Sequence, residues 1–102
     1  MLVSETIGTT QTTLYTAGDD GAVVVSMLFF NTHTEEAKLT FHACKVGDTA
    51  TATNAVFEID IPPRDTMIWG AGEKMMLGAG DFFSAISDEA DKIVATLSIM
   101  EL

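Results

Sequence analysis

The run Ala22-Val-Val-Val-Ser-Met-Leu-Phe-Phe-Asn31 is the longest mainly apolar stretch of the chain, and it constrains the fold more than any other feature. Its β-branched and aromatic residues read as a long central β-strand. Successive strand side chains point to opposite faces, so Val23, Val25, Met27 and Phe29 fall on one face and Ala22, Val24, Ser26, Leu28 and Phe30 on the other. Both faces are apolar. A strand in a two-layer sandwich meets the core with one face only, so the second face requires a cover from a loop, a terminal segment or another subunit.

The rest of the chain breaks into short segments at turn residues. Residues 1–10 carry no sustained period and read as an N-terminal arm or edge strand. Gln11 to Ala17 is a strand, and Gly18-Asp-Asp-Gly21 is turn chemistry leading into the central strand. Ala37 to Val46 alternates, with Leu39, Phe41 and Ala43 opposing Lys38, Thr40, His42 and Cys44. A loop over Gly47 to Asn54 follows. Val56 to Ile61 alternates again, and Pro62-Pro63 ends it because proline offers no N–H to a ladder. Thr66 to Trp69 and Lys74 to Leu77 are short apolar segments separated by Gly70-Ala-Gly72. Phe82 to Ser87 and Lys92 to Leu102 complete the set.

Short strands of this kind with regular turn signals predict an antiparallel β-sandwich of roughly eight strands, jelly-roll or immunoglobulin-like. Residues 11–102 form a single domain. The apolar faces predict a core of Val23, Val25, Met27, Phe29, Leu39, Phe41, Phe57, Ile59, Phe82, Ile86, Ile93, Leu97 and Ile99.

Charge bounds the partners. The chain has 102 residues with 15 acidic against 5 basic ones, a formal charge of −10. That balance opposes binding to phosphate backbones, so nucleic acid is not an expected partner. No apolar stretch approaches the ~20 residues that span a bilayer, and the N-terminus lacks a basic region followed by an apolar one, so neither a membrane nor export is expected. Cys44 is the single cysteine, which excludes an intrachain disulfide and a CxxC clip and predicts a buried thiol.

Candidate chemistry is sparse. His42 and Cys44 share a strand face, as a metal site or a Cys/His nucleophile would need, but further soft ligands are lacking apart from His33 in a turn. Asp19-Asp20 and Asp88-Glu-Ala-Asp91 gather carboxylates at turns without the spacing of a calcium loop. Glu58 and Asp60 share a face that reads as the wet side of a sheet. Trp69, Tyr15 and the six phenylalanines could stack on sugars, yet aromatic residues on apolar strand faces belong more often to cores. No nucleophile elbow, P-loop or dinucleotide fingerprint occurs. The expectation is a protein that is not an enzyme and has no cofactor and no metal.

Several segments together carry a resemblance. A Thr12-Thr-Leu-Tyr-Thr16 strand, an acidic-glycine turn, an apolar strand ending Phe29-Phe-Asn31, a Leu39-x-Phe41 strand and a Pro-containing middle come first. A Leu77-Gly-Ala-Gly-Asp81 turn into Phe82-Phe-Ser-Ala-Ile-Ser87 and a last strand ending Ile99-Met-Glu101 follow. This arrangement resembles small β-sandwich virion proteins of tailed bacteriophages, over about Thr12 to Glu101. It departs from the family's Pro-Gly turn by carrying Asp19-Asp20-Gly21. The resemblance implies a structural role in the virion, as a capsid decoration protein or alternatively a tail, neck or baseplate accessory protein, with no catalytic residues. A carbohydrate- or receptor-binding module is the alternative from another class.

Assembly follows from the residues themselves. Val24, Leu28 and Phe30 face away from the expected core, and Met67, Trp69, Met75 and Met76 lie in segments where a small sandwich has little depth to hide them. These seven are the candidate interface. The expected partners are further copies in a homo-oligomer, a trimer suiting a capsid three-fold site, and other virion proteins such as the major capsid protein.

Overall fold

A computed structural model describes residues 1–69 and 75–102. The Gly70-Ala-Gly72 break and Lys74 lie outside the described residues. Among those described are nine strands: β1 (Leu2–Ile7), β2 (Thr12–Thr16), β3 (Ala22–Asn31), β4 (Ala37–Cys44), β5 (Ala55–Ile61), β6 (Thr66–Trp69), β7 (Met75–Leu77), β8 (Phe82–Ser87) and β9 (Ile93–Glu101). They form two antiparallel sheets. One has the order β1-β9-β3-β6, with β7 also on β3, and the other the order β2-β8-β4-β5.

The pairs nest inside one another. β1 pairs with β9, β2 with β8, β3 with β6 and β7, and β4 with β5. Of the two sandwich types allowed by the sequence, this nesting is that of the jelly roll. The sixth of its eight strand positions is in two pieces: β6 pairs with Met27 to Phe30, β7 with Ala22 to Val24. The N-terminal segment is an edge strand, extended by a hydrogen bond from the Ile99 N–H to the Met1 carbonyl.

The central strand carries a β-bulge. Val24 stands opposite Ile99 and Ser26 opposite Ser98, which leaves Val25 as the extra residue. A one-residue insertion reverses which side chains face the core. Ala22 and Val24 therefore point inward before the bulge, and Met27, Phe29 and Asn31 after it, all fully buried. This corrects the expectation for Val23 and Val25, which are only partly buried. It also moves Val24 from the candidate interface into the core.

β8 is reversed for a different reason. Phe83 and Ala85 are buried in the core, while Phe82 and Ile86, expected there, are half-buried on the outside. Both faces of this strand hold large apolar residues, and cross-strand fit decides between them. Phe41 lies opposite Ala85, and Phe83 opposite Ala43, so large rings alternate with methyl groups and fill the layer without collision. On β5 the expected face is the right one. Phe57 stays half-buried and Ile59 is 38% exposed because β5 is an edge strand.

Phe41 sits at the middle of the core. Its ring centroid lies 5.7 Å from Phe29, 5.2 Å from Phe57 and 5.1 Å from Phe83. Burying one such ring contributes up to ~3 kcal/mol. Asn31 closes one end of the sandwich. Its wholly buried amide donates to the carbonyls of Glu35, Ile61 and Pro62, and its Oδ1 accepts from the His33 N–H, so β3, β5 and the following turn share one side chain.

Candidate functional site

Among the described strand residues, the outer face of the first sheet bears no charged side chain. Register places Ser4, Thr96, Leu28 and Ile68 in one row across β1, β9, β3 and β6, and Thr6, Val94, Phe30 and Thr66 in the next. Met100, Val23 and Met76 make a row toward the other end of β3. Among the described residues no Asp, Glu, Lys, Arg or His occupies this face. The protein carries a formal charge of −10, so the neutrality is specific to this surface. Its apolar side chains are open to solvent: Leu2 is 74% exposed, Met76 72%, Ile68 67%, Met100 52% and Leu28 40%.

The composition of the face is graded. An apolar stripe of Val23, Leu28, Phe30, Ile68 and Met76 on β3, β6 and β7 is interrupted only by Ser26 and Thr66, while β1 and β9 mix the hydroxyls of Ser4, Thr6, Thr96 and Ser98 with Leu2, Val94 and Met100. Burial of the apolar stripe would be favourable at roughly 25 cal/mol per Å². Hydroxyls can be satisfied at a margin without a counter-charge.

Three of the seven expected interface residues, Leu28, Phe30 and Met76, lie on this face. Val24 is in the core for the reason given above. Met67, Trp69 and Met75 pair with Phe29, Met27 and Val24, share their inward direction and pack against the core. Sequence reasoning missed Ile68, Leu2 and Met100. The alternation of Ile93, Ala95, Leu97 and Ile99 already turns Met100 outward, and that signal was there to be used.

The outer face of the second sheet is mixed, with Phe82 and Ile86 half-buried on β8 beside the charged side chains of β4 and β5. Lys38 lies 3.4 Å from Glu58 there, an exposed pair that adds little stability. His42, Cys44 and Ser84 share the same face but are buried, because the loop after β4 returns to it. The His42 Nδ1 lies 2.9 Å from Asn54 Oδ1. That oxygen also accepts from the Thr51 N–H, and the Asn54 amide donates to the Thr49 carbonyl. The network orients Asn54 and makes Nδ1 the nitrogen that donates. Gln11 Oε1 accepts from the Ala50 N–H at 2.6 Å and ties down the same loop. The imidazole acts here as a clamp. Cys44 Sγ lies 3.8 Å from the wholly buried Ser84 Oγ, a thiol in contact with a hydroxyl and shut off from solvent.

A cleft of about 430 Å³ opens beside this loop, lined mainly by Thr49, Thr51, Thr53 and Asn54 with Lys45 and Asp48, and its lining includes neither His42 nor Cys44. Asp19, Asp20 and Glu101 border a second cleft with Tyr15. The Tyr15 phenol, 3.3 Å from a Glu101 oxygen, is pushed above its ordinary range, by desolvation first and then by the charge and hydrogen bond of Glu101. Asp88, Glu89 and Asp91 are exposed in their turn. Among the described residues no three side chains of metal-binding type come together.

No family model matches the chain, and neither does any curated protein or any solved structure. What defines the protein is its own architecture. It is a two-sheet antiparallel jelly roll with charged side chains on the outer face of one sheet and, among the described residues, an apolar outer face without charge on the other.

Proposed function

We propose that this chain is a non-enzymatic structural protein of a bacteriophage virion, a capsid decoration protein that assembles through apolar surface. The observation that carries the reading is the uncharged, solvent-open apolar face on an otherwise strongly acidic jelly roll. A patch of that kind is rare on a lone soluble domain and marks an interaction site. The acidic exterior keeps the unassembled chain in solution, and the rigid two-sheet core presents the face without needing a pocket. The resemblance of the strand and turn sequence to small phage sandwich proteins supports the same reading.

A tail, neck or baseplate position is the alternative siting and would use the same surface. The carbohydrate-binding reading draws little support from the aromatic residues, since Phe29, Phe41, Phe57 and Phe83 cluster in the interior, Trp69 packs against it, and Phe30 and Phe82 lie apart on the outer faces of different sheets. Mass spectrometry of purified particles of the encoding phage tests the proposal. The chain is expected in mature particles at a copy number that follows capsid symmetry. Its absence from particles would end the reading, and a low copy number would move it to the tail or neck.

A further inference from the structure

We infer that the uncharged face of the first sheet is the contact between two copies of this chain, packed face to face about a two-fold axis near Leu28. This deepens the assembly part of the reading above and does not depend on the virion part. Three observations point to a second copy rather than to a different partner.

The first is charge. Two chains of formal charge −10 repel, and they approach closely only where neither presents carboxylates. The described residues on the outer face of the first sheet meet that condition. The outer face of the second, with Glu58 and Asp60 on β5, does not. A partner of opposite charge would be recognised through the acidic turns, and nothing on the uncharged face selects one.

The second is the arrangement of side chains. An apolar band on β3, β6 and β7, flanked on β1 and β9 by Ser and Thr hydroxyls mixed with Leu2, Val94 and Met100, offers a dry contact with polar groups that need no counter-charge beside it. Set against itself about a two-fold axis near Leu28, the apolar band of one copy meets that of the other. Leu28, Phe30 and Ile68 then lie at the centre, with Val23 and Met76 beside them.

The third is area. The sheet is four strands wide, with β3 and β9 ten and nine residues long and its other strands shorter, and covers on the order of 500 Å² in projection. The relief of its side chains raises the accessible area toward the ~800 Å² per partner of a standard stable interface. Sheets stacked this way lie ~10 Å apart with strands ~30° from alignment. One patch meeting itself closes with two-fold symmetry, whereas a three-fold ring needs two different patches on each chain. A dimer, not the trimer expected from the sequence, is therefore what this face builds.

Sedimentation equilibrium of the purified chain from micromolar to millimolar concentration tests this. Twice the chain mass of 10.9 kDa is expected. Ile68→Glu and Met76→Glu, both at well-exposed side chains, should each return the protein to single-chain mass. They should weaken self-association on the order of 100-fold while circular dichroism keeps its β-sheet signal. Asp60→Asn, on the other sheet, should leave the dimer intact. A monomer at every concentration, a trimer, or a dimer indifferent to both substitutions would each overturn the inference. None of these outcomes bears on whether the chain is found in particles.

Discussion

The carbonyl oxygen of Leu77 lies 2.5 Å from the point that a β-carbon on Gly21 would occupy, and Gly21 itself has φ +80°. The end of β7 is thereby pressed against the turn that launches β3. Gly21→Ala combines left-handed strain with a backbone collision and should cost roughly 2–4 kcal/mol. Gly18 is the control, because a β-carbon there would meet nothing within 4 Å. Gly18→Ala should stay within about 0.5 kcal/mol of wild type in denaturant melts.

Phe41→Ala should destabilise the protein by ~3–5 kcal/mol. The removed ring packs against three others, Phe29, Phe57 and Phe83, so its loss leaves a cavity at the centre of the core. Urea unfolding gives the value directly, and a cost near zero would contradict the packing described.

Asn31→Ala should cost about 2–4 kcal/mol, more than its size suggests. The buried Ile61 carbonyl would lose its amide donor, and an unsatisfied buried group costs ~1–3 kcal/mol on its own. Asn31→Asp replaces that amide with an acceptor aimed at carbonyls and should be at least as damaging. Thermal melts of the two variants check the order.

Tyr15 is the only tyrosine, so the ultraviolet absorbance of its phenolate titrates one group. Its midpoint should lie above the ordinary ~10 of tyrosine. Because the folded value is raised, the contact favours the folded state below the unfolded value and that contribution is lost as pH climbs through the folded one. Glu101→Gln should lower the midpoint only part of the way, since desolvation remains. An unchanged midpoint would mean that Tyr15 and Glu101 are not in contact in solution.

Much of this architecture can be read along the chain. Apolar segments and the turn residues between them locate every strand after β1 to within a residue or two, with Gly18-Asp-Asp-Gly21 and Pro62-Pro63 among the turns, whereas Leu2–Ile7 has no sustained period to mark it. Facing is harder, and for identifiable reasons. A bulge at Val25 leaves no mark in a run of three valines, since either parity buries an apolar side chain. In Phe82-Phe-Ser-Ala-Ile-Ser87 both faces qualify, and the choice is made by Phe41 on another strand, which single-strand periodicity does not consult. The jelly-roll nesting is likewise a property of pairs.

The candidate face is legible in kind but not in membership. The need for a cover over β3 follows from its two apolar sides. The shortness of their segments points Met67, Trp69 and Met75 outward, yet pairing with Phe29, Met27 and Val24 turns them in. The clamp between His42 and Asn54 joins residues twelve apart across a loop and has no signature in spacing.

The nesting of the strands also sets an order of events as the chain folds. β9 follows every other strand of the sandwich and slots between β1 and β3, so the first sheet cannot close until β9 is available. Non-local pairing of this kind is slow, on the order of milliseconds to seconds. Until then β3, the most apolar strand, keeps a bare ladder edge able to pair with another chain. The strand that anchors the finished sandwich is also where an unfinished one is most prone to aggregate.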